Sequence, residues 1–278
     1  MKIKIKTSSV ITIAIMSVLL TGLFVMLYPV FSDYFNSLTQ SRVIAKFDLE
    51  LLELDDGDYL ELLNAAREYN ENLHKKRDRF VLSQEDEQEY MALLDFTGTG
   101  VIGSLKIDAI KVNLPIYLGT GASTLQKGAG HFEGSSLPIG GQGTHSVISG
   151  HSGLPSSTLL TNLDKLVIGD TFTIKVLKDT LTYEVDKITV TDPEDMSLLE
   201  IDKNEDYCTL LTCTPYGVNS HRILVRGYRI FPDEEDQTLQ PNCRDIDGAV
   251  WIICFLIAAA VCKIIVTLIC KNTKIKKG

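Results

Sequence analysis

Apolar positions follow three patterns along the chain. Residues 8–31, "SSVITIAIMSVLLTGLFVMLYPVF", carry no charge over 24 positions, enough to cross a hydrocarbon core as a helix. Residues 248–270, "GAVWIICFLIAAAVCKIIVTLIC", hold a single charge, Lys263, whose long stem can snorkel to the interface. Between these ends, "FDLELLELDD" and "DYLELLNAAREYNENLHKK" place Leu and Ala at three- and four-residue spacings. That spacing predicts a pair of amphipathic helices over 33–76, with Asp58 capping the second. From residue 100 onward, short runs rich in Val, Ile, Thr and Tyr alternate with Gly, Pro, Asn and Asp. They predict strands at 103–107, 110–112, 115–118, 145–149, 171–177, 181–191, 207–213 and 222–230, and a short helix at 157–166. Eight short strands over roughly 130 residues imply an all-β barrel or sandwich.

Charge gives the two apolar stretches a direction. Lys2, Lys4 and Lys6 precede the first; Lys271, Lys274, Lys276 and Lys277 follow the second. The positive-inside rule places both ends in the cytoplasm and the middle outside. No small-residue cleavage pattern follows residue 31, so the first stretch reads as an uncleaved anchor. All 36 acidic residues lie between the stretches with 19 of the 27 basic ones, a net charge of −17 there. Such a domain has no electrostatic footprint for nucleic acid. The expected order is a cytoplasmic tail at 1–7, an anchor at 8–31 and a helical region at 33–99. A β domain at 100–231, a linker at 232–247, a second span at 248–270 and a basic tail at 271–278 follow.

Six cysteines do not make a disulfide framework. Cys254, Cys262 and Cys270 fall in the second apolar stretch, with Cys243 just before it. Cys208 and Cys213 share one predicted strand, and at a separation of five they point to opposite faces. No cysteine or histidine spacing suggests a metal site.

The stretch "TLLTCTPYGVNSHRILVRG", 209–227, carries the candidate chemistry. If the strands ending at Cys213 and starting at Arg222 pair symmetrically about the turn between them, these two residues face each other. A guanidinium can favour a thiolate or hold a developing oxyanion, and amide cleavage also needs a proton donor. Of five histidines, His151 closes "HSVISGHSGLP" at a strand end, where loops often carry catalytic groups; His145 inside that strand is the other candidate. An inert buried cysteine and a thiol oxidoreductase are the competing readings, the second lacking a C-x-x-C.

Here the sequence resembles a known family. "TLLTC" is similar to the TLxTC signature of sortases, the cysteine transpeptidases of Gram-positive surfaces, and "TPYGVNSHRILVRG" resembles the class C, pilus-polymerising version. "HSVISGHSGLP" and "GAGHFEGSSLPIGG" resemble the histidine segment and the segment before it. The resemblance implies a mainly β fold: an eight-stranded barrel with N-terminal helices and a lid, flanked by two transmembrane helices. It implies Cys213 as nucleophile, His151 as acid and base, Arg222 as oxyanion group, and Thr212 in the substrate pocket. It also implies an LPXTG-bearing pilin or surface protein as partner, with no cofactor and no metal. "KKRDRFVLSQ" stands where class C enzymes carry a lid, so Asp78 and Phe80 would be lid residues within about 77–82. Arg79 replaces the usual proline, which implies a looser lid. Ser152 stands where the family often has arginine. Wall attachment of surface proteins is the alternative to pilus polymerisation.

Overall fold

A computed structural model describes residues 7–76 and 78–231. The linker, the second apolar stretch and the basic tail lie outside the described residues.

The expected anchor and the first expected amphipathic helix are one element. Helix α1 runs Thr7–Glu53, because no glycine and no proline follow Pro29 to end it. It is the one helix among the described residues long and apolar enough to cross a membrane. Val18, Phe24 and Met26 in its first half are each more than two-thirds exposed, with no other described element packed over them. Its second half buries Phe47 and Leu51 against the barrel, with the Phe47 ring 5.2 Å from that of Phe96.

Helix α2 runs Asp56–Leu73, capped by Asp55, whose carboxylate accepts from the Asp58 amide at 2.8 Å. The cap therefore lies three residues before the expected Asp58. Leu63, Ala66, Asn70 and Leu73 line its buried face. Asn70 donates to Leu137 O and accepts from Leu137 N, acting as a short piece of strand for a loop that has none. Helix α3, Gln84–Ala92, was not expected. Its signal is a capping box between Ser83 and Asp86, and only Tyr90 is buried, so apolar periodicity is missing.

The β domain is a closed barrel of eight strands in the order β1-β2-β3-β4-β7-β8-β6-β5. They are β1 Val101–Ile107, β2 Val112–Leu118, β3 Ala129–His131, β4 Thr144–Ser149, β5 Thr171–Val176, β6 Asp179–Thr191, β7 Asp206–Thr214 and β8 His221–Ile230. Two expected strands, 110–112 and 115–118, are replaced by a 3-10 turn at Asp108–Ile110 and the single strand β2. Pro115 does not interrupt β2 because β3 joins it only from Ile116 onward, leaving the missing donor without a neighbour to serve. The three-residue β3 fell below the expected strand length. The expected helix at 157–166 is instead a loop with a 3-10 turn at Leu163–Lys165. Leu159, Leu160 and Leu163 are all buried there, and Leu159 sits at φ +40, outside helical geometry.

Inward positions fill the barrel with Leu105, Ile116, Ile148, Phe172, Ile174, Leu210 and Val225, none more than 1% exposed. Each such burial contributes about 1.5–3 kcal/mol. At Gly103, where β1 bulges against β2, a Cβ would meet Lys175 O of β5 at 2.2 Å, so only glycine fits.

Candidate active site

Three neighbouring strands present one outward row after another. In β7 the side chains of Tyr207, Thr209, Leu211 and Cys213 face outward, while Cys208, Leu210 and Thr212 face the interior. β8 runs antiparallel with Cys213 opposite Arg222 and Leu211 opposite Leu224. β4 runs parallel to β7, with Ser149 beside Leu211. One further bond, Gly150 N to Leu211 O at 3.0 Å, extends that ladder past the strand end. Continued by two residues, the same register sets His151 beside Cys213. His151, Cys213 and Arg222 thus come to one pole of the barrel from three adjacent chains, each half-buried. Among the described residues no hydrogen bond joins the three side chains. Arg222 Nη1 instead donates to Asn219 O at 3.3 Å and His221 O at 3.1 Å.

The chain after His151 is tied down on several sides. Thr212 Oγ1 donates to Gly150 O at 2.6 Å, Leu160 N to His151 O at 3.2 Å, and Gly153 N to Thr161 Oγ1 at 3.0 Å. From α1, Asp33 accepts from Thr158 N at 2.6 Å and Asn36 donates to Ser156 O at 2.7 Å.

The segment 78–80 packs on the same outward face. Phe80 meets Phe132 edge-on, ring centroids 5.7 Å apart, in a cluster with Val147, Leu199, Leu211 and Leu224. Leu211 precedes Cys213 by two positions on that face. Arg79 is buried, at 7% exposure. Its Nη2 donates to Leu199 O at 2.5 Å and its Nη1 to Gly134 O at 3.4 Å, while the guanidinium lies 4.5 Å from the Phe80 ring centre. Burial pulls this guanidinium below its ordinary value. Gly134, at φ +80, has no room for a Cβ, which would lie 2.0 Å from Arg79 O. Asp78 is exposed.

A family model described as the sortase domain matches residues 105–230. Sortase D of Bacillus subtilis is 30% identical over 131 residues, which are 46% of this chain and 63% of that protein's length. The solved structure of sortase C1 from Streptococcus agalactiae is 45% identical, with a TM-score of 0.66, over 69% of this chain and 100% of the solved one. The chain belongs to the sortase family. A Clostridium perfringens sortase C solved with the C-terminal cell wall sorting motif is 38% identical, with a TM-score of 0.61, over 69% of this chain and 100% of that one.

In this sortase two expectations change. Thr212, implied for the substrate pocket, is 2% exposed and spends its hydroxyl on Gly150 O, a contact that braces the His151 segment. Arg79, expected to loosen a lid, is instead the most deeply bonded residue of the segment 78–80. The other histidines are engaged elsewhere. His145 Nδ1 pairs with Glu200 O at 2.8 Å and its Nε2 with Thr209 Oγ1 at 2.7 Å; burial pulls it down to about 4. His131, fully buried between Tyr90 and Ser136, is likewise lowered to about 4 by burial. His74 pairs with Gly143 O, and His221 with Ser220. Cys208 is enclosed in the barrel, where burial pushes its thiol well above the ordinary range. Among the described residues no cluster could hold a metal ion.

A pocket of about 370 Å³ opens on the same outward face, lined by Lys187, Leu198, Tyr207, Thr209 and Arg226 among others. It stops short of Cys213, where the Phe80 cluster covers the strands. Sequence reading took Arg79 for slack and missed Gly134, Asp33 and Asn36. A short signal existed for one of them: an arginine inside an otherwise lid-like tripeptide needs a stated partner once buried.

Proposed function

We propose that this sortase is a membrane-anchored cysteine transpeptidase, with its barrel outside the cell. It cleaves an LPXTG-type sorting signal between Thr and Gly and joins the Thr to a lysine amine of another pilin. The observation carrying this reading is the register that pairs Cys213 with Arg222 while the chain leaving β4 continues it to His151 beside them. The solved relative that holds a sorting motif, and the relatives named sortase C, support the substrate class.

Each residue has one task. Cys213 Sγ, as thiolate, bonds to the Thr carbonyl carbon, and the carbonyl oxygen becomes an oxyanion. Arg222, released from its own turn, donates to that oxygen. The C–N bond then breaks, and the glycine amine leaves with a proton from His151. A thioester remains, holding the energy of the old peptide bond. The lysine amine attacks it and gives its proton to His151. The C–S bond breaks, the thiolate is restored and an isopeptide bond is made. No nucleotide or metal enters the balance. In the resting state residues 78–80 form a lid, with Phe80 over the face that leads to Cys213.

The test mixes the full chain in nanodiscs with a pilin-like protein bearing an LPXTG signal. Ladders that survive boiling in SDS and vanish in Cys213→Ala are expected. Cleavage without ladders, even with a lysine-bearing acceptor present, would favour wall attachment. No Cys213-dependent product, with the lid opened by Phe80→Ala, would refute the transpeptidase.

A further inference from the structure

Helix α1 passes from its apolar stretch into the barrel without a break. Phe31 ends the stretch, and Asp33 and Asn36 already hold the loop that follows His151. At a rise of 1.5 Å per residue, Phe31 and Asn36 are about 8 Å apart along the axis. The helix then travels away from that pole. Gln40 reaches Lys127 O at 3.2 Å, and Asp48 pairs with Lys175 at 2.8 Å on β5. Asp56, at the start of α2, pairs with Lys178 in the β5–β6 turn. Asn36 to Asp48 spans about 18 Å of helix. The pole that carries His151, Cys213 and Arg222 is therefore the one next to the apolar stretch, and the β5–β6 turn is the far pole.

The near pole has the composition of an interface. Residues 150–163 and 214–220 contain no Asp, Glu, Lys or Arg, although the part between the apolar stretches carries −17 overall. Pro155 is exposed there, and Tyr216 and Val218 are 69% and 70% exposed. The two loops adjoin: a Cβ on Gly153 would lie 3.4 Å from the Tyr216 ring. The acids of this pole lie outside those two segments: Asp33 on α1, Asp108 after β1, Asp164 and Asp170 before β5, and Asp192, Glu194 and Asp195 after β6. At the far pole, Asp55, Asp56, Lys178 and Asp179 crowd the surface.

We propose that the uncharged surface of residues 152–158 and 215–218 rests on the bilayer that α1 crosses. Pro155, Tyr216 and Val218 lie at headgroup level, and the catalytic pole faces the membrane. A tyrosine with an apolar neighbour and no carboxylate suits that depth, where aromatic rings concentrate and anionic lipid repels acids. The inference rests on reading residues 8–31 as a span. Its consequence is positional. A sorting signal held close to the membrane by its own apolar tail meets Cys213 without having to climb the barrel.

The test places one tryptophan at each pole of the full chain. Trp251, the single native tryptophan, is replaced by phenylalanine, and Tyr216→Trp or Lys178→Trp is added. The protein is assembled in phosphatidylcholine nanodiscs with lipids spin-labelled at the headgroup. Quenching several-fold stronger for Tyr216→Trp than for Lys178→Trp is expected, with acrylamide showing the reverse order. Val218→Trp serves as a second near-pole reporter, since both positions are exposed and tolerate the ring. Equal quenching at the two poles, or stronger quenching at Lys178→Trp, would overturn the proposal. A chain that does not copurify with the discs would overturn it too, through the span itself. Neither result depends on turnover, so Cys213-dependent cleavage of a sorting signal separately decides the enzymatic reading.

Discussion

Replacing Arg79 by alanine removes the contacts that hold the segment 78–80 down. The guanidinium makes one short bond to Leu199 O at 2.5 Å, one long bond to Gly134 O, and a stacking contact with Phe80. A hydrogen bond from a charged donor contributes about 1.5–3 kcal/mol, and the stacking about 0.5–1 kcal/mol. Against this, the guanidinium regains water when the lid opens, which offsets part of the gain. A net latch of about 2 kcal/mol remains, worth roughly 30-fold in the open population at 1.4 kcal/mol per decade. The readout is the rate of iodoacetamide labelling at the Cys213 peptide, followed by mass spectrometry so that cysteines beyond residue 231 do not interfere. Cys208 stays silent because it is fully buried. Arg79→Ala should label about 30-fold faster, and Asp78→Ala, whose side chain is exposed, should stay within a few-fold of the parent. If Arg79→Ala labels at the parental rate while Phe80→Ala accelerates, the aromatic ring alone is the latch. If Asp78→Ala exceeds Arg79→Ala, the bonding described here is not what closes the lid.

Cys213→Ala should abolish product formation while leaving the thermal midpoint unchanged, and His151→Ala and Arg222→Ala should each cost about two or more orders of magnitude in kcat/KM. His145→Ala more damaging than His151→Ala, at matched stability, would reassign the acid. Thr212→Val strips Gly150 O of its buried donor and should lower stability by about 1–3 kcal/mol, measured by urea midpoint; no change would mean that the brace carries nothing. The buried pair His131 and His145 should make the protein acid-sensitive. Both have folded values of about 4 against an ordinary 6.5. Above pH 6.5 both states are neutral and the contribution is fully present. As pH falls from 6.5 towards 4, the unfolded chain takes up protons that the fold refuses, so stability drops. Each histidine costs up to about 1.4 kcal/mol per pH unit in that window, or about 3 kcal/mol in all. His145→Gln should roughly halve the slope of urea midpoint against pH; a flat parental profile would contradict the burial argument.

The β7–β8 hairpin was legible because its two strands flank a short turn, and counting outward from that turn sets Cys213 against Arg222. The parallel seam between β4 and β7 was not legible in that way. Nothing local specifies a partner 62 residues away, and the placement of His151 rested on resemblance. Strand β3 escaped because three buried residues offer no alternation, and its place is set by β2 and β4 on either side. Helix α3 escaped because its charged sequence shows only a capping signal. The segment 157–166 misled because Leu159, Leu160 and Leu163 have helical spacing but are pinned separately to the core. Arg79 misled most. A charged residue in place of proline reads as slack, but folding brings two loop carbonyls to it from 55 and 120 residues away.

The parallel seam has a consequence in time. His151 and Cys213 are joined by a crossover that includes both β5 and β6, so the ladder between them can close only after most of the barrel exists. Long-separated pairings of this kind form late, because the chain loses loop entropy before the contact repays it. A chain emerging N-terminus first carries the histidine long before the cysteine, and Arg222 later still. Until β7 slots between β4 and β8, Cys213 has neither His151 nor Arg222 beside it. The three side chains thus come together only on completion of the fold, and the proposed transpeptidase activity is acquired at that point.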